Sequence, residues 1–76
     1  MARVFVSNRA LTEIFWQELR TYPECSTGFP VAIVPDRRFG WEAVPAPYVV
    51  RRYPARAKRV EQTQNELRKI YSLKGR

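Results

Sequence analysis

Arg51, Arg52, Arg56, Lys58 and Arg59 place five cations within a short stretch of chain, and the chemistry such a cluster serves is the binding of a polyanion. From Arg51 to Arg76 there are nine basic residues against Glu61 and Glu66, which accounts for the whole net charge of +7. From Met1 to Val50, five arginines are balanced by Glu13, Glu18, Glu24, Asp36 and Glu42. On a helix that begins early, Arg52, Arg56 and Arg59 share one flank. With about five phosphate contacts, the logarithmic salt slope on duplex DNA is about −4 to −5. A second group, Asp36-Arg37-Arg38-Phe39-Gly40-Trp41, sets two arginines beside two aromatics, which can hold a phosphate and stack a base or anchor a protein interface. The simpler assignment for Trp41 is inward packing, with Phe39 covering the end of a hairpin. Basic side chains also suit the negative end of a helix, which accounts for Lys69, Lys74 and Arg76 without any ligand.

Other chemistry is poorly provided for. The chain has no histidine, so the usual general base, the Ser-His and Cys-His pairs and the commonest zinc ligand are missing. Cys25 is the sole cysteine and cannot build a thiolate metal cluster. Gly28, Gly40 and Gly75 are isolated and form no phosphate loop. Glu13 and Glu18 are five residues apart, as are Glu61 and Glu66, so neither pair shares a helix face. The expectation is a non-enzymatic domain with no metal and no cofactor. A single cysteine, the absence of an apolar leader and the absence of an apolar run of about 20 residues point to the cytoplasm and away from a membrane.

The elements that position these residues follow from spacing. Arg3 to Ser7 has strand composition. Asn8 suits a helix N-cap, and Leu11, Phe15, Leu19 and Tyr22 form one helical stripe, which predicts a helix from about Arg9 to Thr21 ended by Pro23. Pro23 to Pro30 is a loop, with Ser26, Thr27 and Gly28 as breakers. Val31–Val34 and Trp41–Val44 read as a hairpin with Phe29, Val31, Ile33, Trp41 and Ala43 on its inner face. Tyr48–Arg52 reads as a third strand at an edge, where arginines discourage pairing with another chain. Pro54 opens a last helix running to about Leu73, with a stripe of Val60, Thr63, Leu67, Ile70 and Tyr71 that is thinned by Thr63 and Gln64. Residues 74–76 are expected to fray. The predicted fold is one α+β domain, a small antiparallel three-stranded sheet with room for a short fourth strand at the N-terminus. Two helices pack on one face, and the order is (β)-α-β-β-β-α.

The order α-β-β-β-α resembles a double-stranded RNA-binding domain, whose last helix opens on a basic cluster. Arg56, Lys58 and Arg59, within Ala55-Arg56-Ala57-Lys58-Arg59, occupy that place. The histidine-bearing loop of that family has no counterpart here. Separately, Phe29-Pro30-Val31-Ala32-Ile33-Val34-Pro35-Asp36 with Gly40-Trp41 is similar to the opening hairpin of HicB-type antitoxins. Two functions follow as expectations. One is nucleic-acid binding, DNA or RNA, led by Arg51, Arg52, Arg56, Lys58 and Arg59 with Arg37 and Arg38 auxiliary. The other is a protein-interaction module, regulatory or antitoxin-like, that docks an acidic partner or self-associates. A domain of 76 residues buries only ~60% of its unfolded surface, so a homodimer is one way to add buried area.

Overall fold

Leu11, Phe15 and Leu19 recur at helical spacing, and all three are buried on the inner side of helix α1, Asn8–Leu19. This is a computed structural model, and it describes residues 3–25, 29–38 and 40–74. The N-cap is Ser7, one residue before the expected Asn8. The Ser7 hydroxyl accepts from the Ala10 N–H at 3.2 Å, so a donor left over at the helix start finds a partner. Asn8 is freed for another task and donates its side-chain N–H to the Ile33 carbonyl at 2.8 Å.

The chain runs β1 (Val4–Val6), α1, a single 3₁₀ turn (Pro23–Cys25), β2 (Val31–Asp36), β3 (Gly40–Pro45), α2 (Pro47–Arg52), α3 (Pro54–Arg68) and β4 (Tyr71–Leu73). It is an α+β fold with two sheets of two strands each: an antiparallel hairpin β2–β3 and a parallel pair β1–β4. The expected single three-stranded sheet is therefore corrected in two places. Tyr48–Arg52 is helical, because Pro47 sits at the first helical position where its missing N–H costs nothing, and only Val49 turns inward. The last helix stops at Arg68 instead of reaching Leu73. Beyond it, backbone bonds to β1 replace helical ones: Val4 N–H to Ile70 C=O at 2.9 Å and Lys74 N–H to Val6 C=O at 2.7 Å. Ile70, expected in the buried stripe, is 50% exposed as a result. The α-β-β-β-α order shared with the RNA-binding family is thus not the order of this chain. The expectations placed on Ser26, Thr27, Gly28, Phe39, Gly75 and Arg76 lie outside the described residues.

The hairpin shows why its prolines are where they are. Val31 faces Pro45, Ile33 faces Ala43 and Pro35 faces Trp41. The outward-directed partners of Ile33 and Ala43 mark these as the pairs that do not exchange ladder bonds. Pro35 and Pro45 thus fall where a strand needs no N–H from its neighbour. The outward groups are instead met by side chains. Gln64 accepts from the Ala43 N–H at 2.8 Å, and the Arg68 Nε–H donates to the Trp41 carbonyl at 2.9 Å. Side chains of α1 and α3 thus occupy part of both hairpin edges, which limits pairing with another strand. Gly40 closes the turn with φ of +88°, a left-handed conformation that favours glycine.

The core gathers Leu11, Phe15, Leu19, Cys25, Phe29, Ile33, Trp41, Ala43, Val49, Val60 and Leu67. Trp41 packs inward as expected. Its ring meets Phe15 edge-on at 6.1 Å, and its indole N–H donates to the Tyr71 carbonyl at 3.2 Å. The thin part of the α3 stripe is real. Thr63 is 3% exposed, and among the described residues its hydroxyl has no hydrogen-bond partner. Such a hydroxyl loses water without compensation. Thr63→Val keeps the shape and removes the polar atom, so it should raise unfolding stability by ~1 kcal/mol. A urea midpoint that moves down instead of up would contradict this account of the site.

Candidate polyanion interface at the α2–α3 elbow

The two proline-led helices meet at Tyr53, whose φ of −131° and ψ of 66° break one helix and begin the next. Pro54 then restarts helical geometry at a position where its own missing N–H costs nothing. Around this elbow stand the five cations of the sequence cluster, and the fold sorts them into two groups.

Arg56 and Arg59 turn onto the chain itself. The Arg56 Nε–H donates to the Glu24 carbonyl at 2.8 Å, and its guanidinium lies 4.3 Å from the Tyr53 ring centroid and 5.7 Å from that of Phe29. Arg59 pairs with the Glu24 carboxylate at 3.0 Å, covers the Tyr22 ring at 4.2 Å and donates to Gln62 at 3.0 Å. Cation–ring contacts of this kind stabilise by ~0.5–1 kcal/mol at exposed sites. The two arginines clamp the 3₁₀ turn onto the start of α3. Cys25, the last residue of that turn, is fully buried, and that burial pushes its thiol pKa up, away from the thiolate a nucleophile needs.

Arg51, Arg52 and Lys58 are exposed and make no hydrogen bond, ion pair or ring contact among the described residues. Arg51 and Arg52 end α2, and Lys58 lies on α3. Lys58 rims an open groove of about 530 Å³ with Val50, Pro54, Ala55, Ala57 and Glu61. Arg52 stands on a different helix from Arg56 and Arg59, so the single flank expected of these three does not form. Arg37 and Arg38 are exposed at the hairpin tip, a separate element, with Arg38 engaged in an interaction of its own. Tyr48 and Tyr53, absent from the sequence-based site, flank the arginines and are 43% and 40% exposed. The one signal for them was Pro47 and Pro54 bracketing Tyr48–Tyr53, the mark of a short proline-started helix.

The clamp has a pH signature. The Glu24 carboxyl is held below its ordinary value of 4.5, first by a hydrogen bond from its own backbone N–H and then by Arg59. A depressed carboxylate favours the folded state above pH 4.5, and that contribution disappears as pH falls through the lowered value. The pair is partly open to water, which keeps the effect modest. Melting curves between about pH 3 and pH 6 should show the parent losing more stability on acidification than Glu24→Gln. Parallel acid limbs would mean that Glu24 contributes nothing.

Among the described residues, no group of three or more histidine, cysteine, aspartate or glutamate side chains could hold a metal ion. Among the same residues, no helix is long and apolar enough to cross a membrane. Comparison finds no family model, no curated protein and no solved structure that matches this chain.

Proposed function

We propose that the chain is a non-enzymatic nucleic-acid-binding domain whose contacts come from the α2–α3 elbow, led by Arg51, Arg52 and Lys58. The carrying observation is that these three cations are exposed without an ion pair, whereas Arg59 is matched to Glu24. A phosphate backbone supplies the missing anions and releases its own counterions on contact. Arg56 and Arg59 serve the interface by holding Tyr53 and the start of α3 in place. Arg37 and Arg38 are auxiliary contacts on the hairpin tip.

The three elbow contacts, counted without the auxiliary Arg37 and Arg38, set the expected salt dependence. The logarithmic slope is then about −2 to −3, so affinity should fall roughly 15- to 60-fold between ~50 and ~200 mM salt. Mobility-shift titrations at both concentrations test this. No retardation at the lower salt ends the proposal, and a slope near zero removes its electrostatic basis.

A second reading, a protein-interaction module, draws on a different observation. The outer face of the hairpin exposes Ala32, Val34 and Val44, beside an apolar groove of about 300 Å³ lined by Trp16, Pro30, Val31, Ala32, Val44 and Ala46. An uncharged partner surface or a second copy fits this face better than an acidic one, because the first fifty residues carry no net charge. Sedimentation equilibrium of the parent and of Val44→Lys separates self-association from a monomer.

A further inference from the structure

We infer that the nucleic acid taken at the elbow is single-stranded, with unpaired bases stacked on Tyr48 and Tyr53 while Arg51, Arg52 and Lys58 hold the phosphates. This deepens the function proposed above and rests on it. Three observations carry it.

The first is the pairing of rings with cations. On α2, Arg51 and Arg52 lie three and four residues beyond Tyr48, so both neighbour it on the helix surface, and all three are exposed whereas Val49 is fully buried. Tyr53 follows at the corner between α2 and α3. Its ring has Arg56 against it at 4.3 Å, which fixes the ring and leaves it 40% exposed. Stacking platforms interleaved with cations are what a flexible strand needs, because every base has a π-face and the backbone follows the charges.

The second is the absence of a helix suited to a duplex groove. Reading base edges inside a duplex needs an exposed helix or ribbon long enough to enter the major groove. Helix α2 has six residues and spans about 9 Å. Helix α3 spends its inner face, Val60, Thr63 and Leu67, on the core. Its exposed face carries Glu61 and Glu66, whose carboxylates oppose the phosphates of a duplex laid along it, and the hairpin ribbon is a separate element, so a base taken at the elbow is one that has left its stack.

The third is a groove that opens at Pro54, the residue after Tyr53, on the α3 side of the elbow. Its wall is apolar, from Val50, Pro54, Ala55 and Ala57, with Lys58 at the rim. Val50 is 51% exposed. An apolar wall with a cation at its edge suits a base whose phosphate lies outside. Glu61, also on the wall, offers a carboxylate to accept from an exocyclic amine.

The test uses the full chain and fluorescence anisotropy with three labelled probes at about 50 mM salt: a (dC)12 strand, a (C)12 strand and a mixed 12-base-pair DNA duplex. The expected result is that at least one strand binds at least ~10-fold tighter than the duplex, the tighter of the two identifying the sugar. Tyr48→Ala should weaken strand binding by ~5- to 150-fold and leave duplex binding and the melting temperature unchanged. Because Tyr53 also supports Arg56, Tyr53→Leu is read only with a melting curve, and Tyr48→Phe, which keeps a ring, should bind like the parent. Equal affinity for strand and duplex, or an unaffected Tyr48→Ala, overturns the stacking inference and leaves the proposed function standing. Failure of all three probes to bind overturns both.

Discussion

Trp41→Ala should remove ~3–5 kcal/mol of stability, the largest loss expected from any single substitution in this chain. The ring is fully buried and touches three different parts of the fold. It packs edge-on against Phe15 of α1 and donates its indole N–H to the Tyr71 carbonyl of β4. Arg68 of α3 lies 5.9 Å from its centroid and donates to its carbonyl. Truncation would leave a cavity, together with an orphaned carbonyl at Tyr71. A domain of 76 residues has a total stability of only about 4–11 kcal/mol. The variant should therefore be mostly unfolded, or melt far below the parent, by circular dichroism, with Trp16 reporting the same transition by fluorescence. Trp41→Phe separates the two contributions, since it keeps most of the packing and loses the indole bond, at a cost of ~1–2 kcal/mol. A Trp41→Ala variant that unfolds at the parent's urea midpoint would show that the hairpin is not held through this ring.

The second large effect concerns binding. Reversing Arg51, Arg52 and Lys58 together to glutamate should weaken nucleic-acid affinity on the order of 10²–10³-fold at ~50 mM salt, because three counterion-releasing contacts are lost. The melting temperature should hardly change, since the three side chains are exposed and bond to nothing among the described residues. Arg56→Ala should show the opposite pattern. It removes the charge-assisted bond to the Glu24 carbonyl and the stack on Tyr53, which together stabilise by ~2 kcal/mol. The loss is in folding, with binding affected only through it. Isothermal titration set beside urea denaturation of the same variants reads both columns. If Arg56→Ala lost as much affinity as the triple reversal at full stability, the division between clamp and contact residues would be wrong.

The clamp also bears on how a basic cluster should be read. Within Arg51–Arg59 the five cations are four arginines and one lysine, yet their surroundings differ sharply. Arg59 has a carboxylate 35 residues away in the chain, and Arg56 bonds a carbonyl 32 residues away. Spacing along a helix says which side chains share a face. It is silent on what a distant turn brings to that face.

Much of the architecture was legible in local pattern. The Leu11-Phe15-Leu19 stripe and Pro23 bound α1, the proline-flanked apolar runs with Gly40 between them specified the hairpin, and Pro54 marked the start of α3. Each is decided within a few residues, by helical or two-residue periodicity and by the geometry of proline and glycine. The confinement of net charge to the last third is likewise a property of sequence alone. Tertiary structure decided the rest. Tyr48–Arg52 has strand composition, but Val49 is the one side chain the core accepts, and a helix buries one residue in four where a strand would bury alternate ones. Tyr71–Leu73 continues the helical stripe on paper, but β1 and Trp41 offer its backbone partners from 30 residues and more away. Which cations of the cluster are engaged by the chain itself was settled by the same long-range contacts, because a side chain's hydrogen bonds depend on what folding brings beside it.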